Sequence, residues 1–254
     1  MGRSSELHTV ASVTVATGLP RTVVRRIMMT LTELGYSLSD GKTFRLTPKV
    51  LTLGMTYLSS LPFWGLAQHV LESLGTQVKA SVALTVFDGE CVVYILRIPS
   101  REIMSLQLGV GSRVPAYPTA PGRVLLAWQP PEQVERYFDT VPRKGITRKT
   151  VTERAALQAA LAQVRDDGYS WVDGEFDTSV CGLSVPVRDA SGAAVAALAI
   201  NLLSGDTTQA RALREFLRPL RAASEQLRAM APQFLSAAGQ TARLPSAPST
   251  VGAG

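Results

Sequence analysis

Thr22, Arg25 and Arg26 fall on one side of a segment whose other residues repeat at helical spacing, and together they carry the chemistry of a base-reading surface. An α-helix fits the major groove of B-DNA, where an arginine can bridge guanine O6 and N7 and a threonine can touch base edges or the thymine methyl. Lys42 and Arg45 lie at or beside a predicted hairpin tip. Cations there meet phosphates and add salt-dependent affinity without reading sequence. Two neighbouring arginines on an isolated polar helix face are usually only solvated; a turn, a helix and a basic hairpin in succession point instead to DNA.

Other chemistries are poorly supplied. His8 lies near the start and His69 in a predicted amphipathic helix, so a histidine triad or metal site lacks members, and we expect neither metal nor cofactor. Cys91 and Cys181 are too few for a disulfide framework or a four-cysteine zinc site, and Cys181 reads as a small buried residue. Gly109-Val110-Gly111 begins like a dinucleotide fingerprint, but Pro115 stands where its helix should run, so a turn is expected. Asp173, Glu175 and Asp177 alternate in an extended segment; without further oxygen ligands they read as a solvated edge rather than a cation site. Pro118–Arg123 opens a short predicted helix whose free amides attract carboxylates, a possible anion cradle that any loop-to-helix junction would imitate.

The elements that position these groups follow from local signals. A short helix over Thr9–Thr17 closes at Gly18-Leu19-Pro20, and a second runs over about Arg21–Leu34 with Val24, Ile27, Met28, Leu31 and Leu34 on its core face. Asp40-Gly41 between two alternating runs predicts a hairpin, completing a winged helix-turn-helix. Pro48 to about Leu61 reads as a linker helix. Beyond it come a helix at Phe63–Thr76 and strands at Ser81–Phe87, Val92–Ile98 and Ile103–Leu108, then helices at Pro121–Trp128 and Pro131–Phe138 and a third capped by Thr152 and stopped by Gly168. Strands at Tyr169–Asp173, Gly182–Arg188 and Ala194–Leu203 precede a last helix at Thr207–Met230. This order predicts an α+β fold with an antiparallel sheet. Residues 236–254, rich in Ala, Ser, Gly and Pro, read as a disordered tail.

Composition sets the outer bounds. The 254 residues are 46% hydrophobic and 18% charged, enough to bury a sizeable core. No apolar run is long enough to span a membrane and no signal peptide is evident, so a soluble protein of a reducing, cytoplasmic compartment is expected. Of the net charge of +6, four units come from the first 60 residues, where Arg3, Arg21, Arg25, Arg26, Lys42, Arg45 and Lys49 face Glu6, Glu33 and Asp40.

Several motifs in order resemble the IclR-type transcriptional regulators: Ala16-Thr17-Gly18-Leu19-Pro20-Arg21-Thr22, Leu34-Gly35-Tyr36 and Phe44-Arg45-Leu46, then Gly111-Ser112-Arg113-Val114-Pro115-Ala116-Tyr117, Gly122-Arg123-Val124-Leu125-Leu126-Ala127, Asp167-Gly168-Tyr169 and Ser184-Val185-Pro186-Val187-Arg188-Asp189. The likeness spans about residues 7–232 and is nearest to members that control aromatic-acid degradation. It implies a DNA-binding domain over 1–47, a linker helix over 48–62 and a GAF-like effector domain over 63–235. The family's recognition contacts fall on Arg21, Thr22, Arg25 and Arg26, and its pocket on Ala120, Pro121, Val172, Val180, Gly182, Ala199 and Asn201. Cys181 stands where many relatives have arginine, and Ala120, Val172, Gly182 and Ala199 replace more polar or differently shaped groups, which suits a more apolar effector.

The resemblance also implies a homodimer or homotetramer on double-stranded DNA, with a pseudo-palindromic operator whose half-sites lie about 34–36 Å apart or a multiple of that. Relatives place another helix before the one at Thr9–Thr17, so the expectation is a start further upstream or a weakened module. The rival reading is a small-molecule-processing enzyme or metabolite sensor that keeps a vestigial DNA-binding module.

Overall fold

The computed structural model describes residues 7–59, 64–100 and 108–229 and divides the chain into two compact units, residues 1–60 and 61–254. The predicted strand at Ile103–Leu108 falls almost wholly outside the described residues, and the predicted tail at 236–254 lies entirely outside them.

In the first unit, α1 (Val10–Thr17) begins at a capping box: Thr9 Oγ1 accepts from Ser12 N at 3.1 Å, and Ser12 Oγ accepts from Thr9 N at 2.9 Å. Gly18, at φ +68°, ends it in the left-handed region. Helix α2 (Arg21–Glu33) follows Pro20, and strands β1 (Ser37–Ser39) and β2 (Phe44–Leu46) form the expected antiparallel hairpin. His8 pairs its backbone with Phe44 in both directions, adding an edge to that hairpin. Helix α3 (Lys49–Ser59) completes the unit. Its core is small: Val24, Met28 and Phe44, with Val10 and Val13 against them. Ile27 and Leu34 were expected in that core, but they are 45% and 53% exposed, because α1 and the hairpin cover only the neighbouring stripe of α2.

The second unit is built on a six-stranded antiparallel sheet in the order β5-β4-β3-β8-β7-β6. Its strands are β3 (Ser81–Phe87), β4 (Cys91–Ile98), β5 (Arg113–Pro115), β6 (Ser170–Asp173), β7 (Val180–Arg188) and β8 (Ala194–Leu203). The α+β class with an antiparallel sheet is the one predicted. Successive side chains along a strand alternate between faces, so Val82 meets helix α4 (Trp64–Val78) while Ala83 joins the opposite core. That second core is formed by α5 (Ala120–Ala127), α6 (Pro131–Thr140) and α7 (Arg154–Asp167), around Tyr94, Leu125, Tyr137, Phe138, Leu157 and Leu161.

Two local expectations are corrected. Thr152 does not cap α7, which starts at Arg154 behind Glu153, while the Thr152 carbonyl is held by Arg143 Nε at 3.1 Å. The last helix is unbroken but not uniformly α: α8 (Gln209–Ala212) widens into a π turn at Leu213–Leu217 before α9 (Arg218–Arg228). Pro219 has no N–H to return to the preceding turn, and the ladder widens just ahead of it.

Candidate DNA-facing surface and effector cavity

Arg21, Thr22, Arg25 and Arg26 are all exposed on α2, and Lys42 and Arg45 on the hairpin. Arg21 and Arg25 come together with Lys42, Gly41 and Ser39 around one cleft of about 630 Å³ between α2 and the hairpin, with Met29 and Phe44 among its apolar walls and Glu33 as its one acid. Thr22 and Arg26 lie further round α2, outside the cleft, and Arg45 sits across the hairpin from Leu38. No ion pair engages any of these cations within the described residues. The hairpin tip is tied together by one side chain: the Asp40 carboxylate accepts from Lys42 N at 2.9 Å and from Thr43 N and Thr43 Oγ1 at 2.7 Å each. Those donors, the Thr43 hydroxyl first, hold the Asp40 carboxyl at about 2, well below the usual carboxylate range.

The second site lies at the entry to α5. Ala120, Pro121, Val172, Val180, Gly182 and Asn201 border one cavity of about 40 Å³; Ala199, the seventh predicted member, does not, being packed between Ala83 and Ser184 in the sheet. The cavity is also bordered by Thr119, from the expected anion cradle, by Glu175 and Asp177, from the expected solvated edge, and by Tyr94 and Phe176, which sequence reasoning missed as binding groups. For Tyr94 the only sequence signal is an inward place in an alternating strand.

Gly182 leaves the floor open, since a Cβ there would stand 3.4 Å from Ala120 Cβ. Thr119 caps α5, its Oγ1 accepting from Gly122 N at 3.3 Å. Gly122 itself is required by close approach, because a Cβ at that position would overlap the Ala116 backbone. Arg123 does not face a ligand: its Nε donates to Tyr117 O at 2.9 Å and its Nη2 to Glu175 Oε2 at 2.6 Å, with both residues buried, at 6% and 7% exposure.

Glu175 is therefore no part of a solvated edge. Val151 N donates to it as well, at 3.0 Å, so a buried ion pair replaces the expected water-facing carboxylate. Asp173 pairs with Lys149 at 2.7 Å, and Asp177 Oδ1 accepts from Ser179 N at 2.8 Å. Among the described residues no cluster of histidine, cysteine and acidic groups could hold a metal ion. Cys181 is buried, and burial pushes its thiol up to about 11, so it is not a thiolate at neutral pH. Among the described residues no helix is long and apolar enough to cross a membrane.

A helix-turn-helix with a basic hairpin, followed by an antiparallel sheet holding a small cavity at a helix entry, defines a ligand-responsive DNA-binding regulator. Residues 55–229 match the family described as bacterial transcriptional regulator IclR C-terminal, and the chain belongs to the IclR family of transcriptional regulators. It is 38% identical over 220 residues to the Pca regulon regulatory protein of Pseudomonas putida, covering 86% of this chain and 76% of that one. Among solved structures, a putative transcriptional regulator from Rhodococcus sp. RHA1 superposes with a TM-score of 0.64 at 35% identity, covering 92% of each chain. The inducer-binding domain of PobR from Acinetobacter, a double mutant in complex with 3-hydroxybenzoic acid, aligns with a TM-score of 0.58 at 26% identity over 65% of this chain and 96% of that one.

Proposed function

We propose that residues 1–47 bind operator DNA, that 63–235 bind a small organic acid, and that the helix over 48–62 links the two. Arg25 and Arg26 read base edges with Thr22 and Arg21 beside them, while Lys42 and Arg45 hold phosphates. The observation that carries this reading is the convergence of Arg21 and Arg25 from the helix with Lys42 from the hairpin on one cleft, without ion-pair partners among the described residues.

The effector site is the cavity at the α5 entry, where Ala120, Pro121, Val172, Val180, Gly182 and Asn201 meet. The acid bound by the PobR domain supports an aromatic or other small carboxylate. At about 40 Å³ the cavity has room for about three waters, so an acid the size of benzoate must push its walls apart. That displacement is what can favour one arrangement of the DNA-binding units over another. The protein acts as a homodimer or homotetramer in the cytoplasm on a pseudo-palindromic operator and does not turn the acid over.

A gel shift against the DNA upstream of its own gene, with and without aromatic acids, tests this reading. The expected result is a shift that the acid alters. Turnover of the acid without any shift would favour the rival, an enzyme or sensor with a vestigial DNA module.

A further inference from the structure

Tyr94 is 4% exposed and borders the effector cavity, yet its hydroxyl has no hydrogen-bond partner among the described residues. The fully enclosed side-chain oxygens without a partner among those residues are Ser100 Oγ and Ser170 Oγ. The Tyr94 oxygen is not among them, and Tyr94 lines the cavity. A hydroxyl buried among apolar groups is costly unless a ligand or water satisfies it. Burial pushes the Tyr94 phenol up to about 12, so it stays protonated at neutral pH and can donate as well as accept.

The opposite end of the cavity is different. A Cβ on Gly182 would stand 3.7 Å from Asn201 Oδ1 as well as against Ala120, so the Asn201 amide and the α5 entry are neighbours. Neither the Asn201 amide nor the Ala120 N–H has a partner among the described residues, and the Ala120 N–H stands at the positive end of α5. Along the sheet Tyr94 sits opposite Thr85 and Asn201 opposite Ser81, on β4 and β8 with β3 between them, so the two meet a ligand at different ends. No lysine or arginine is among the residues bordering the cavity, whereas Glu175 and Asp177 are. Arg97, close enough to act on the Tyr94 phenol, donates to Ser81 Oγ at 3.3 Å and to the Leu108 carbonyl.

We propose that Tyr94 is a specificity-determining residue of the effector site, reading a hydroxyl group on a ligand that carries one carboxylate. The assignment rests on the effector reading given above and narrows it: hydroxylated monocarboxylates are preferred to unsubstituted ones, and dicarboxylates are disfavoured because no lysine or arginine borders the cavity to meet a second charge.

Calorimetric titration of the full chain with benzoate, 3-hydroxybenzoate, 4-hydroxybenzoate and adipate tests it. At least one hydroxybenzoate should bind about tenfold more tightly than benzoate, the worth of one neutral hydrogen bond, and adipate should bind more weakly than benzoate. Tyr94→Phe should erase the preference for the hydroxyl without lowering the melting temperature, because the hydroxyl makes no bond within the described residues. A preference that survives in Tyr94→Phe, or a wild-type chain that binds benzoate as tightly as both hydroxybenzoates, overturns the Tyr94 assignment and leaves the effector reading standing. Tightest binding of adipate overturns the monocarboxylate class. Failure of the wild-type chain to bind any of the four acids removes the effector reading itself, and this assignment with it.

Discussion

The two units handle charge in opposite ways. In the second, several cations are paired within the fold: Arg123 with buried Glu175, Arg113 with Asp88, Lys149 with Asp173, and Arg154 with Glu135 and Asp139. In the first, Arg21, Arg25, Arg26, Lys42 and Arg45 stand in solvent with no ion pair among the described residues, around a core of only three buried hydrophobic residues. A cation paired inside its own fold contributes to stability or to positioning; one left open is available to an anionic partner. Substitutions in the second unit should therefore show in its melting, and substitutions on the basic surface of the first should show in its binding.

The largest contrast comes from one substitution made in each unit. Gly122→Ala drives a methyl into the Ala116 backbone in a position that cannot relax cheaply, so the second unit should lose its cooperative melt or fail to accumulate as soluble protein. Gly54→Ala, in helix α3 with no atom within 4 Å of the new methyl, should instead stabilise its helix by about 0.8–1 kcal/mol. Calorimetric melting of the two variants compares them directly, and equal behaviour would break the comparison.

Next in size is the buried ion pair. Arg123→Met strands the Glu175 carboxylate and should cost about 3–5 kcal/mol in denaturant unfolding, while pairing it with Glu175→Leu should recover much of that loss. Arg25→Ala should move the same unfolding curve by less than about 0.5 kcal/mol, since Arg25 is exposed and forms no ion pair within the described residues.

That difference also explains what the sequence made legible. The first unit is specified by neighbours in the chain: Thr9 with Ser12, Gly18 before Pro20, and Asp40-Gly41 all act within four residues, so its helices and hairpin were readable to within about two residues. The burial of Glu175 depends on Arg123, 52 residues away, and strand β5 exists only through its pairing with Cys91, Val92 and Val93, so neither carries a local signal. Ile27 and Leu34 were misread for a related reason: helical spacing marks an apolar face, but not how much of it the other elements cover. Around the cavity the same limit applies. Residues at the α5 entry could be placed from motifs, whereas Tyr94, Glu175 and Phe176 reach it through the packing of distant segments.

On the DNA side the expected effects are smaller and separable. Arg25→Ala should remove about 1–3 kcal/mol of discrimination between operator and a single-base variant at one position. Lys42→Ala should weaken all DNA alike and reduce the slope of log affinity against log salt by about one. Anisotropy titrations at several salt concentrations distinguish the two. If both variants act equally on every sequence, the division between a reading helix and a phosphate-holding hairpin is wrong.

The smallest effect sits at the hairpin tip and separates local order from global stability. Asp40 has a carboxyl held at about 2, against an ordinary value of 3.8, by the Thr43 hydroxyl and the Thr43 and Lys42 amides. Because the folded value is the lower one, its contribution is fully present above about pH 4 and is lost as pH falls through 2. The group is fully exposed, so the loss should loosen the hairpin tip without melting either unit. In NMR spectra the amide resonances of Lys42 and Thr43 should shift between pH 4 and 2, while those of the second unit's core stay in place. Asp40→Asn keeps an oxygen that can accept from the same amides but has no charge to lose, so its spectrum should be flat across that window. A tip that titrates equally in both proteins would show that Asp40 does not organise the hairpin that presents Lys42.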